Sequence, residues 1–75
     1  MAKKVEVCLF VKVIGRITGK IWMEYDDSIH DIINEAPSSL KVFETWFADH
    51  NLDSHKTILI RKSDIVGGYE IYDRP

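Results

Sequence analysis

Gly15, Gly19 and Lys20 fall in the stretch VKVIGRITGKIWM, residues 11 to 23, where two glycines and a lysine invite comparison with a phosphate-binding loop. Such a loop needs the spacing GxxxxGK[ST] between a strand and a helix, because consecutive backbone N–H groups cradle the phosphates and a hydroxyl holds magnesium. Here three residues separate the glycines, Ile21 follows Lys20, and an alternating pattern continues where a helix is required. The glycines are read instead as turn and bulge residues of a β-hairpin.

Imidazole and thiol groups are few. His30, His50, His55 and the one cysteine, Cys8, are the soft or aromatic-nitrogen ligands, and DHNLDSH at 49 to 55 gathers two of the histidines with two aspartates. A metal centre needs three or four converging donors. His50 suits a helix end, where a partial positive charge is favoured, and His55 suits a loop, so no metal and no cofactor is expected. Cys8 has no basic neighbour that would activate its thiol and reads as a small packing residue. Asp26, Asp27, Asp31 and Glu35 surround the start and outer face of a short helix, where acids cap backbone N–H groups and oppose the dipole. They have no companion nucleophile, so a non-enzymatic protein is expected and these acids stand as a candidate partner-binding segment.

The elements that position these groups follow from periodicity. Val5, Val7, Leu9, Val11 and Val13 alternate as one face of a strand, and Ile17, Gly19, Ile21, Met23 and Tyr25 repeat the phase. A three-residue loop, Ile14-Gly15-Arg16, would pair Val13 with Ile17 and Leu9 with Ile21. Asp26-Asp27-Ser28 supplies caps for a short helix carrying Ile29, Ile32, Ile33 and Ala36, which Pro37 ends. Ser38 and Ser39 would cap a second, longer helix with Leu40, Phe43 and Phe47 on one stripe and Val42 and Trp46 beside it, closed by Asn51 with Leu52 folding back. TILIRK at 57 to 62 and YEIY at 69 to 72 read as strands, with Ile58, Ile60, Tyr69 and Ile71 inward and Gly67-Gly68 kinking the entry. The expected fold class is α+β, a single domain over residues 1 to 75. In it a four-stranded, mostly antiparallel sheet in ββααββ order carries one main helix and a short preceding helix on one face.

That arrangement leaves the other sheet face open. Phe10, Trp22 and Tyr72 would lie there among Lys12, Lys20 and Arg61, and exposed aromatics at such density mark contact surfaces. A larger protein partner, a second copy of the chain included, is the leading expectation. The alternative is a single-stranded RNA or DNA binder whose aromatics stack on bases while Lys and Arg meet phosphates. Against it, no RNA-recognition signature is present and the net charge is −2.

Charge is unevenly spread along the chain. Residues 1 to 23 balance at +4 from five cations and Glu6, residues 24 to 55 at −7 from eight acids and Lys41, and residues 56 to 75 at +1. Separation of this kind creates local fields that steer partners. A lone cysteine in 75 residues permits no internal disulfide and fits a reducing compartment, with the cytoplasm the simplest expectation. Glu6 and Lys12 interrupt the first apolar stretch, so neither a signal peptide nor a membrane span is expected. In length and coarse layout, though through no motif, the chain resembles small inhibitors encoded by phages and mobile elements, anti-CRISPR proteins among them. The resemblance implies an anti-defence role exercised by binding and covering a partner surface, without catalysis.

Overall fold

The computed structural model of the chain describes residues 2–24, 26–50, 52, 53 and 55–71. Alternation does produce the first two strands, β1 (Lys3–Val11) and β2 (Gly15–Met23). They form an antiparallel hairpin in which Val11 faces Gly15, Leu9 faces Ile17 and Val5 faces Ile21. The expected register was four residues away, with the loop at 14 to 16. The observed turn lies at 12 to 14, with Val13 fully exposed at its tip rather than in the core. Because the displacement is even, it leaves every side chain on its expected face.

Ser28 caps α1 (Ile29–Glu35), its Oγ accepting from the Asp31 N–H at 3.2 Å, and Ala36 before Pro37 closes it. Its Ile29, Ile32 and Ile33 pack on the core. The Glu70 carboxylate accepts from the Ile29 N–H at 2.9 Å, and Lys62 Nζ donates to the Asn34 carbonyl at 2.7 Å, so the helix is tied from both ends.

The second expected helix does not exist. Residues 39 to 47 form a strand, β3 (Ser39–Phe47), followed by a 3₁₀ turn at Ala48–His50 and a two-residue strand, β4 (Leu52–Asp53). Val42, Phe43, Thr45, Trp46 and Phe47 are β-branched or aromatic and favour a pleated, half-buried surface. Their apparent helical spacing has a local cause. Glu44 sits at φ 52°, and the β2 register shifts between Thr18 and Lys20, so an extra residue is accommodated and the buried positions step from Leu40 and Val42 to Thr45. Asn51, the expected end of that helix, lies outside the described residues.

β5 (Ile58–Arg61) and β6 (Ile65–Glu70) complete the chain, joined by a 3₁₀ turn at Lys62–Asp64. The sheet runs β4-β3-β2-β1-β6, with β5 also on β3. β4 and β5 lie along different parts of β3 as two pieces of one returning strand, so the sheet is five strands wide. It is an antiparallel, curled half-barrel with one helix, mostly sheet. This corrects the expected four-stranded ββααββ layer with two helices, and removes the layout on which the likeness to phage and mobile-element inhibitors rested. The concave side holds Val7, Leu9, Val11, Ile17, Ile21, Met23, Leu40, Val42 and Ile60, with Ile29 of α1 against them. In β6 the expected facing is reversed. Tyr69 is exposed, while the Glu70 side chain reaches the Ile29 N–H from its half-buried position.

Candidate functional site on the outer sheet face

The even-numbered residues of β1 and β2 point away from the core, and register assembles them into rows. Lys4 faces Trp22, Glu6 faces Lys20, Cys8 faces Thr18 and Phe10 faces Arg16. β6 extends these rows by placing Tyr69 against Cys8, and β3 by placing Trp46 against Thr18 and Phe43 against Lys20. One continuous surface therefore carries Phe10, Trp22, Phe43, Trp46 and Tyr69. Four of these aromatics are substantially open to solvent: Phe10 at 43%, Trp22 at 52%, Trp46 at 37% and Tyr69 at 50%.

The cations on this face stand beside carboxylates or rings. Lys20 Nζ lies 3.5 Å from Glu44 Oε2, and Arg16 Nε lies 3.4 Å from Asp49 Oδ1. The Arg16 N–H also donates to Asp49 Oδ2 at 2.8 Å. Lys4 Nζ sits 4.9 Å from the Phe43 ring centre and 5.6 Å from that of Trp22, and Lys41 Nζ sits 5.7 Å from Phe43. Such cation–π contacts hold the rings in place and mask the ammonium groups. The Phe10 and Tyr69 rings meet at a tilt, with centroids 6.1 Å apart, a favourable aromatic geometry. Below them Cys8 is buried and free. A hydrogen bond with its thiol raises the Tyr69 phenol above its ordinary value, and the charge interaction with Cys8 adds to the rise.

Of the residues expected here, Phe10, Lys20 and Trp22 do lie on this face, with Phe10 and Trp22 near opposite ends of the hairpin, across from Arg16 and Lys4. Lys12 lies in the exposed β1–β2 turn, its N–H donating to the Asp64 carbonyl at 2.8 Å. Arg61 stands on β5, across from Ser39 at the far margin of the sheet. Tyr72 lies outside the described residues. Sequence reasoning missed Lys4, Arg16, Phe43, Trp46 and Tyr69. The aromatic and β-branched content of residues 42 to 47 was the signal that could have placed Phe43 and Trp46 on a strand.

The acidic set is less uniform than its sequence. Asp27 Oδ2 accepts from the Glu24 N–H at 2.9 Å, and Asp27 lines a cleft of about 380 Å³ with Lys3, Lys4, Glu6 and Lys20. Asp26, Asp31 and Glu35 are exposed, the last two sharing one side of α1 at a four-residue spacing. Among the described residues no three of His, Cys, Asp or Glu converge as a metal site, and no helix is long and apolar enough to cross a membrane. The chain matches no model of a known protein family, no curated protein and no solved structure.

Proposed function

We propose that this chain is a non-enzymatic protein-binding module whose outer sheet face docks on a larger partner and covers part of its surface. The observation that carries the reading is the row of open aromatics along one face, with its cations already engaged by carboxylates or rings. Large, rigid aromatic side chains framed by paired charge match the anchors and rim of protein interfaces. The same pairing weighs against single-stranded RNA or DNA. Glu44 and Asp49 beside Lys20 and Arg16 put carboxylates where a phosphate backbone would have to run, whereas nucleic-acid grooves present their cations without acids alongside. An anti-defence inhibitor is one form such a module takes, acting by occlusion. A reducing compartment such as the cytoplasm suits the buried free thiol of Cys8.

Affinity capture from the native cell with mass spectrometry tests the reading. Trp22→Asp combined with Trp46→Asp is expected to remove the captured protein partner, with a loss of about 2 kcal/mol or more, roughly 30-fold, for an anchor residue. Trp46 is only 37% exposed and stands opposite Asp53, so circular dichroism must first show that the double variant folds, and Trp22→Ala with Trp46→Ala, which places no charge beside Asp53, should lose the partner as well. Capture of RNA that weakens steeply with salt, or capture indifferent to both substitutions, would overturn the proposal.

A further inference from the structure

β5 lies at one margin of the sheet, paired with β3. In an antiparallel ladder, alternate residues turn their N–H and C=O groups toward the same neighbour. The Lys62 N–H donates to the Ser38 carbonyl at 2.8 Å. With Leu40 opposite Ile60 and Val42 opposite Ile58, the residues in step with Lys62 are Ile60 and Ile58, and these face β3. Leu59 and Arg61 are out of step, so their N–H and C=O groups point off the sheet. Among the described residues no strand lies there to receive them. The Leu59 side chain, standing out of the sheet plane, is 68% exposed.

A groove of about 560 Å³ runs beside the edge, lined by Val11, Ile14, Ser39, Ile58, Ile60 and Asp64 among others. It is the mouth left where the sheet curls without closing. A strand hydrogen-bonded to Leu59 and Arg61 would set alternate side chains into this groove and the others outward. Charge then selects the occupant. Arg61 ends β5, and beyond it the Lys62 ammonium is held by the Asn34 carbonyl. Two copies of the edge paired antiparallel about Leu59 would set Arg61 of each copy against Thr57 of the other, so neither guanidinium would meet an acid. A strand bearing carboxylates meets Arg61, exposed on β5, with the opposite sign.

From this placement we infer that the β5 edge is a strand-addition site for an extended segment of another protein in which apolar residues alternate with carboxylates. The inference does not depend on the aromatic face. Its test uses the whole chain and three capped peptide probes: valine alternating with glutamate, valine alternating with lysine, and the glutamate peptide methylated on its backbone nitrogens. Amide hydrogen exchange followed by NMR is expected to show at least about tenfold protection at Leu59 and Arg61 with the glutamate peptide. The lysine peptide should bind about tenfold or more weakly, the methylated peptide should give no protection, and Arg61→Glu should reverse the preference between the charged peptides. Leu59→Pro removes an outward N–H while sparing the bonds of Ile58 and Ile60 to β3, and should abolish binding. Should that variant unfold, the methylated peptide reports on the same bond in the unaltered protein. Absence of protection at Leu59 and Arg61 would overturn the inference, as would equal binding of the two charged peptides. So would a dimer abolished by Leu59→Lys, which would assign the edge to a second copy. The chain carrying Trp22→Asp and Trp46→Asp should still bind the glutamate peptide, so failure of one proposal is distinguishable from failure of the other.

Discussion

Val13 occupies φ 72° at the tip of the β1–β2 turn, and the Ile14 N–H donates to the Lys12 carbonyl at 2.8 Å across it. That i to i+2 bond makes a γ-turn, and a positive φ is unfavourable for a β-branched side chain. The side chain is fully exposed, so replacing it forfeits no burial. Relief of about 1–2 kcal/mol, less about 0.5–1 kcal/mol for the freer unfolded chain, leaves Val13→Gly stabilising by about 0.5–1 kcal/mol, read as a rise in Tm of about 2–8 °C for a domain of this size. Tyr69 supplies a pH-dependent residue. Its phenol is raised first by the hydrogen bond with Cys8, so the neutral form is favoured in the folded chain. The contribution to stability is fully present below the unfolded tyrosine value of about 10 and is lost as pH rises through the higher folded value. An ultraviolet titration of phenolate should show one late-titrating tyrosine, and Cys8→Ala should bring it back toward the others.

At the scale of elements, the crossing of β2 and β3 depends on a residue without a side chain. A Cβ on Gly19 would lie 2.5 Å from Val42 Cγ1 and 3.0 Å from the Phe43 carbonyl oxygen. Gly19→Ala is expected to destabilise by about 1–3 kcal/mol through overpacking, outweighing the gain of about 0.5–1 kcal/mol from a less flexible unfolded chain. Urea denaturation should show a lower midpoint at unchanged slope. Gly67→Ala is the control, since nothing lies within 4 Å of its added Cβ. β1, β2, α1 and β5 were legible from the sequence because strict alternation, a serine cap and a terminating proline act within a few residues. β3 was not, because the irregularity around Glu44 shifts the phase of its buried side chains and imitates a helical stripe. Tyr69 was misplaced for a related reason. The register of β6 is fixed by pairing with β1 and is interrupted between Phe10 and Val11, a contact no local pattern specifies.

Across the whole molecule, the charge that is segregated along the chain is mixed in space. Arg16 and Lys20 from the basic segment meet Asp49 and Glu44 from the acidic one, and Lys3 and Lys4 share a cleft with Asp27. Folding therefore replaces two opposed patches with a face of aromatics in locally balanced charge. Composition and alternation by themselves determined a small apolar-cored chain, a first hairpin with Phe10, Lys20 and Trp22 on its outward side, and a capped short helix. Those properties depend on neighbours close in sequence and on the two-residue period of a strand, which survived even a four-residue error in register. Only the tertiary structure decided that residues 39 to 47 are extended, that Phe43, Trp46 and Tyr69 join the outward face, and that β5 lies at a margin with no further strand beside it among the described residues. Those outcomes depend on which strands lie side by side, and pairing is settled by closure of the curled sheet over its core.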